Sequence, residues 1–231
     1  MTNLTGKERS DYVQGLFTRI AGKYDLMNRL MTFGQDMGWR EEVLQRARLA
    51  PDCSLLDLGA GTGDLARLAH KQAPTARVVA ADFTYEMMRA GRQPTDTFGW
   101  ANADALAIPF GNENFDAVVS GYLMRNVIDR ALALQEQLRV LKPGGRVVIL
   151  DTTRPQRNLL SPFIWVHLHI IIPFFGTLLS GHSDAYTYLP DSTEDFLSAE
   201  ELAQKMKDAG FQAVGFRRFM FGTMAIHWGR K

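Results

Sequence analysis

An apolar run, Ser54-Leu55-Leu56-Asp57-Leu58, feeds directly into three glycines at alternate positions, Gly59, Gly61 and Gly63. A helix-like segment, Leu65-Ala66-Arg67-Leu68-Ala69, follows after Asp64. Glycine tolerates positive φ and has no side chain, so the backbone here can press against a ligand. Strand, glycine turn and helix in that order hold nucleotide-like cofactors at the edge of a parallel sheet.

Three ligand readings compete. A phosphate-binding loop ends in Gly-Lys-Ser/Thr, and no lysine follows Gly63. A dinucleotide fingerprint places its third glycine where this chain has Asp64. An acid there opposes a pyrophosphate at a helix N-terminus. S-adenosylmethionine (SAM) carries no phosphate, and its ribose and amino acid suit a glycine turn flanked by acids. A tight turn without a ligand is the bland alternative, and three glycines with Asp57 and Asp64 weigh against it.

The next segments extend the SAM reading. Arg77-Val78-Val79-Ala80-Ala81 reads as a second buried strand ending at Asp82, 23 residues after Gly59. An acid at that place accepts ribose hydroxyls; in isolation it would be an ordinary helix-capping acid. Asn102-Ala103-Asp104-Ala105 offers Asp104 to an adenine amino group and the Ala105 N–H to the ring. A fourth strand runs from Asn114 to Ser120 and ends at Gly121. A helix end, a turn at Lys142-Pro143-Gly144-Gly145 and a fifth strand follow. The expected cofactor set is Asp57, Gly59, Gly61, Thr62, Gly63, Asp82, Phe83, Asp104, Ala105 and Gly121. Over 51–151 this order resembles the class I SAM-dependent methyltransferases, which implies a seven-stranded, mostly parallel Rossmann-like α/β sheet with helices on both faces.

Both ends of the chain add to this core. Tyr12, Val13, Leu16, Phe17 and Ile20 have helical spacing. Residues 23–34 crowd an aromatic, an acid, an amide and methionines together. They read as a helix pair covering a sheet edge, or as a face that turns Tyr24 and Asn28 toward a ligand. Ser198 with Glu201 forms a capping box for a helix ending at Gly210. Residues 213–219 and 223–228 read as two final strands, antiparallel to each other. The expected organisation is one domain over 1–231: a helical cap at 1–50, a cofactor core at 51–153, an insertion at 154–192, and a helix and strands at 193–231.

The insertion holds the most apolar stretch, 159–179. A membrane span needs about 20 mainly apolar residues, and Pro162, Pro173, His167 and His169 argue against one. It reads as a buried capping insertion or as a greasy lid that receives an apolar substrate or touches a membrane. His167 and His169 are two apart and do not share a helix face, so no metal is expected. His70 and His182 carry no site signal. The formal net charge is +1, which leaves no electrostatic footprint for nucleic acid. Cys53 is the only cysteine, so no internal disulfide forms and a reducing, cytoplasmic setting fits. Residues 1–10 lack the apolar core of a signal peptide.

A narrower resemblance spans 12–229. Tyr24-Asp25-Leu26-Met27-Asn28 with Trp39, Leu123-Met124-Arg125-Asn126-Val127, Arg139-Val140-Leu141-Lys142-Pro143-Gly144-Gly145, Tyr186-x-Tyr188-Leu189-x-x-Ser192 and Ala225-Ile226-His227-x-Gly229 occur in order. Together they resemble the ubiquinone/menaquinone biosynthesis C-methyltransferase family. The resemblance implies methyl transfer from SAM to a ring carbon of a polyprenylated quinol. A peripheral membrane contact through 159–179 and a homodimer are compatible expectations. The chain departs from the family pattern at Thr32 and Asp36 (usually serine and histidine) and at Tyr122-Leu123-Met124 (usually Phe-Gly-Leu). It departs again at Asp151-Thr152-Thr153 (usually Glu-x-Ser).

A quinol becomes nucleophilic at carbon when it loses a proton, and a free phenol titrates near ~10. Bringing that near ~7 takes about 4 kcal/mol. Arg125, always charged, is the expected catalytic residue, acting on the phenolate directly or through a water; a bland ion pair with Asp129 is its alternative. Asn126 and Tyr24 are expected to orient the ligands. His227 is a weaker candidate base, more in keeping with a packed histidine bonded to backbone. Two other functions stay open: N- or O-methylation of another apolar acceptor, such as a phospholipid or small phenol, and a non-catalytic SAM-binding subunit of a quinone-biosynthesis complex.

Overall fold

The central strand is the one the glycines interrupt. In the computed structural model, which describes residues 6–154, 162, 166, 170, 193 and 196–231, β1 (Ser54–Leu58) is buried along its whole length. It pairs in parallel with β2 (Arg77–Asp82) on one side and β4 (Phe115–Gly121) on the other. β3 (Gly99–Asn102) lies outside β2, and β5 (Leu141–Thr152) outside β4, all parallel. β7 (Met224–Arg230) runs antiparallel to β5 and to β6 (Gln212–Phe219). The described strands form one sheet in the order β3-β2-β1-β4-β5-β7-β6. The chain leaves β1 in one direction and returns to β4 in the other, so a crevice opens at the carboxyl ends of β1 and β4.

Side chains alternate across each strand, and the two faces bury different helices. Leu55, Val119, Val148 and Ile226 pack with α3 (Gln35–Ala47) through Trp39, Val43 and Leu44, and with α4 (Asp64–Gln72) through Leu65, Ala66 and Ala69. Leu56, Val118, Val147 and Ile149 pack with α6 (Arg130–Val140) and α7 (Ala199–Asp208) through Leu134, Leu202 and Met206. The remaining described α-helices are α1 (Gly6–Ile20), α2 (Tyr24–Met31) and α5 (Tyr85–Gly91).

The expected mostly parallel sheet with helices on both faces is present, as are the last two antiparallel strands. The Ser198 capping box forms: its hydroxyl accepts from the Glu201 N–H (3.2 Å) and its own N–H donates to the Glu201 carboxylate (2.7 Å). One boundary differs. The turn expected at Lys142–Gly145 is absorbed into β5, which begins at Leu141. Leu141 pairs with Phe115 and Arg146 with Ala117, so the extra residues bulge out between them. The N-terminal helices also differ from an edge cover. α1, α2 and the 3₁₀ turn Ala21–Lys23 form a small core around Leu16, Ile20 and Met27, next to α5 rather than along a bare strand.

The expected insertion at 154–192 lies outside the described residues except at a few isolated positions. His167, His169, His182 and the Tyr186–Ser192 stretch of the resemblance lie outside them too. No helix among the described residues is long and apolar enough to cross a membrane.

Candidate active site

All three loop glycines adopt positive φ: Gly59 at 70°, Gly61 at 57° and Gly63 at 86°. The Gly59 and Ala60 N–H groups both donate to the Ala81 carbonyl (2.8 and 3.0 Å), which folds the loop back over the end of β2. Space forbids side chains as much as dihedral angle does. A Cβ on Gly63 would lie 2.5 Å from the Trp100 ring, and one on Gly59 would lie 2.9 Å from Leu123.

Asp82 and Asp57 fix this loop from two sides. Asp82 ends β2, half-buried, and its carboxylate accepts from the Gly61 N–H (2.8 Å) and the Thr84 N–H (2.7 Å). Burial pushes its carboxyl above the usual range. Asp57 is fully buried and accepts from the Ala66 N–H of α4 (2.9 Å). Burial outweighs that bond and raises its carboxyl to about 7.

Beyond the loop lies an open cleft of about 900 Å³, solvent space included. Leu58, Gly59, Gly61 and Gly121 form its floor; Asp82, Phe83, Thr84 and Met87 form one wall; Ala103, Asp104, Ala105 and Leu106 continue that wall. Asp104 is exposed and accepts from the Leu106 N–H (2.9 Å). Among the described residues the lining contains two carboxylates and no lysine or arginine. Such a wall repels a pyrophosphate, which binds through cations and helix N-termini. It suits a cationic, phosphate-free ligand with hydroxyls for Asp82 and Asp104 and a flat ring for Phe83 and Leu106.

The outer wall comes from the N-terminal helices. Val13, Gln14, Phe17 and Tyr24 face the cleft. The Gln14 amide donates to the Phe83 carbonyl (3.3 Å), and the Thr62 hydroxyl donates to Asp25 (2.7 Å). Two hydrogen bonds therefore tie the helical cap to the cofactor loop and its neighbour.

At the inner end, a polar cluster is assembled from segments far apart in sequence. Tyr122 stands at the end of β4 with φ 61°, a left-handed conformation rare for an aromatic residue. Its ring lies between two guanidiniums, with Arg40 Cζ 5.9 Å and Arg125 Cζ 5.6 Å from the ring centre. Burial outweighs both and holds its phenol above the usual range. Its hydroxyl is buried without a partner among the described residues. Arg125 is 3% exposed. Its Nε is 3.8 Å from Asp151, within ion-pair range but too long for a hydrogen bond, and Nε and Nη1 have no hydrogen-bond acceptor among the described residues. Asp151 also accepts from the Arg125 N–H (3.2 Å) and the Thr152 N–H (2.8 Å). Asp36, whose carboxylate also takes the Thr32 hydroxyl (3.2 Å), pairs with Arg40. Unpaired buried donors such as these are costly unless a ligand uses them.

Most of the expected site residues meet at this cleft. Gly59, Gly61, Asp82, Phe83, Asp104, Ala105, Gly121, Tyr24 and Asn126 line it. Asp57, Thr62 and Gly63 stand behind the loop and hold its shape. Arg125 lies under the cleft wall rather than on it, and its partner is Asp151. Asp129 instead caps α6, accepting from the Leu132 N–H (3.0 Å). Asn126 donates to the Tyr122 carbonyl (2.9 Å) and fixes the turn. His227 bonds to the Ala199 carbonyl (2.9 Å), and burial lowers it to about 4, so it is a packed histidine. Sequence reasoning missed Gln14 and Phe17, which have no signal beyond helical periodicity. It also missed the meeting of Asp36 with Tyr122 through Arg40, although both had been marked as departures from the family pattern.

Known proteins agree with this geometry. Residues 5–231 match the ubiE/COQ5 methyltransferase family. The chain is 44% identical to the ubiquinone/menaquinone biosynthesis C-methyltransferase UbiE of Desulfotalea psychrophila, over 95% of this chain and 90% of that one. It is 41% identical to a demethylmenaquinone methyltransferase of Roseiflexus castenholzii, over 97% and 95%. A solved SAM-dependent methyltransferase from Thermotoga maritima shares the fold, with a TM-score of 0.65 at 19% identity, covering 94% of this chain and 99% of that one. On the match across nearly its whole length, the chain belongs to the ubiE/COQ5 methyltransferase family.

Proposed function

We propose that this chain, a SAM-dependent methyltransferase by family, methylates a ring carbon of a polyprenylated quinol. The observation that carries the ligand assignment is the described cleft lining: Asp82 and Asp104 with no cation among the described residues, beside Phe83, Met87, Ala105 and Leu106. Those residues would hold SAM, which supplies, when bound, a methyl group made electrophilic by its sulfonium.

The protein's own task is to make the acceptor carbon nucleophilic. Arg125 is the charge that favours loss of the quinol proton, because a buried guanidinium stabilises a phenolate far better than water-exposed charge does. The Arg125 Nε and Nη1 donors lack acceptors among the described residues, which supports their use by an acceptor oxygen or its water. Asp151 holds that guanidinium in place from β5. Tyr24, half-buried at the cleft, and Asn126 orient the acceptor. The cap closed by Gln14 and Asp25 keeps water from the phenolate. The apolar composition of 159–179 supports delivery of a membrane-borne acceptor, and docking there would show as cosedimentation with vesicles.

The test is methyl transfer from labelled SAM to a demethylated quinone offered in reduced and oxidised form. Product should appear with the quinol alone. Equal rates with both forms would overturn the mechanism, and labelling of a phospholipid or simple phenol instead would replace the acceptor. In cells lacking the protein, a demethylated quinone should accumulate.

A further inference from the structure

The amino end of the sheet, opposite the cleft, carries a second charged site of reversed sign. Arg146 of β5 and Arg230 of β7 are direct register partners. Opposed residues of an antiparallel pair project to the same face, and like charges there are destabilising. The face is fixed by alternation: Val148 and Trp228, two residues along each strand, pair with one another and pack on the α3 side. Arg48 joins from the end of α3, in a left-handed conformation at φ 53° where glycine is favoured. Arg48 and Arg146 line one groove with Lys142 and the backbone of 143–145.

Among the described residues, Arg48, Arg146 and Arg230 make no ion pair. Of the groove's acids, Asp116 is engaged by Lys142 (2.8 Å) and by the Ser54 N–H and hydroxyl, and Asp52 pairs with none of the three. Burial, then the charges of Arg230 and Arg48, make the Arg146 guanidinium easier to deprotonate than usual. The C-terminus of α3 offers only about half a negative charge. Neighbouring Arg46 shows the contrast: it is satisfied by Glu42 (2.8 Å) and by stacking 3.5 Å over the Trp228 ring.

We infer that Arg48, Arg146 and Arg230 form a binding site for a dianionic phosphate group, carried by a soluble phosphate or phosphate monoester. Guanidiniums match phosphate oxygens in pairs, and a strained residue beside repelling charges marks a place where stability is given up for binding. The soluble source is favoured because this end of the sheet points away from the cleft, which must face the lipid to receive a prenylated acceptor. That choice rests on the proposed acceptor; the anion site itself does not.

The test is thermal unfolding of the full chain in millimolar inorganic phosphate against chloride at matched ionic strength. Phosphate at about ten times its Kd should raise Tm by about 3–5 °C. Arg146→Gln and Arg230→Gln should each weaken phosphate binding at least tenfold and leave SAM affinity unchanged. In chloride each variant should melt at the same or a higher temperature than the wild type, because a repulsion is removed. A phosphate response that survives in both variants, or one that follows ionic strength alone, overturns the site. Sedimentation with phosphatidylglycerol vesicles separates the sources. Vesicle binding lost in Arg146→Gln, without a response to free phosphate, overturns the soluble ligand. Labelling of quinol in the same variants reads the methyltransferase function separately.

Discussion

The cofactor wall and the polar cluster beneath the inner end of the cleft are built in opposite ways. On the cofactor wall, each acid that shapes the loop accepts a backbone N–H: Asp57 from Ala66, Asp82 from Gly61 and Thr84, Asp104 from Leu106. Those residues come from one stretch of chain, and the wall is preorganised without its ligand. The inner cluster draws Tyr24, Asp36, Arg40, Tyr122, Arg125 and Asp151 from three regions of sequence. It leaves a phenol hydroxyl and guanidinium N–H groups unpaired. The first region pairs its acids with backbone N–H groups and leaves only one Asp57 oxygen unpartnered among those acids' described contacts, whereas the second leaves several donors open to a guest. Substitutions should therefore cost shape and SAM binding in the first, and turnover in the second.

The sharpest way to break that contrast is Gly91→Ala. A Cβ there would lie 2.1 Å from the Thr62 carbonyl oxygen, a backbone atom that cannot rotate aside. It should cost about 3 kcal/mol or more in urea unfolding; a loss under about 1 kcal/mol would show that the loop is not rigidly placed. Next comes Arg125→Lys, which keeps a charge beside Asp151 and so spares the fold. It should lower kcat by about 10²-fold or more while SAM affinity by calorimetry stays within about threefold. A large loss of SAM affinity would move Arg125 to the cofactor side.

Asp82→Asn tests the other side. It removes a charged acceptor worth about 1.5–3 kcal/mol, so SAM should bind about 10–100-fold more weakly. Turnover at saturating SAM should fall far less. A fall in kcat with unchanged affinity would merge the two regions.

Asp57 gives a pH signature of the cofactor wall. Its folded value near 7 lies above the unfolded value of about 3.9. The folded state therefore holds more protons between those values, and stability falls as pH rises from about 4 to 7. The slope attributable to Asp57 is at most about 1.4 kcal/mol per pH unit. Asp57→Asn should flatten the pH profile of unfolding free energy over that window. An unchanged profile would assign the slope elsewhere. The smallest effect is expected far from both regions. Ser198→Ala removes the capping hydroxyl of α7 and should cost about 1 kcal/mol, with kcat and SAM affinity untouched.

The same contrast explains what the amino-acid sequence disclosed. The glycine turn, the Ser198 cap and the final strand pair are local patterns, each set by neighbours within a few residues, and each was legible, as was the placement of Asp82 and Asp104 beside the cleft. The folded chain gives Thr62 and Asp57 partners of their own, Asp25 and the Ala66 N–H, and only packing reveals them. Tyr122 carried no local sign of its strained backbone or of the two guanidiniums beside its ring. Those contacts depend on how α3 crosses the end of β4, which no spacing within the segment 122–126 encodes. The start of β5 was misplaced because Pro143-Gly144-Gly145 is turn chemistry, and only pairing with β4 reveals it as a bulge.

Strand order has a consequence for how this protein must be made. β6 precedes β7 in the chain, yet among the described strands it joins the sheet only through β7, which lies between it and β5. While the polypeptide is still emerging from the ribosome, β6 leaves the exit tunnel with no strand to pair with. The flank of β5 stays open, and an open strand flank is a template for pairing between chains. Assembly of this half of the sheet must wait for the final segment, and a nascent chain stalled before β7 should be prone to aggregate.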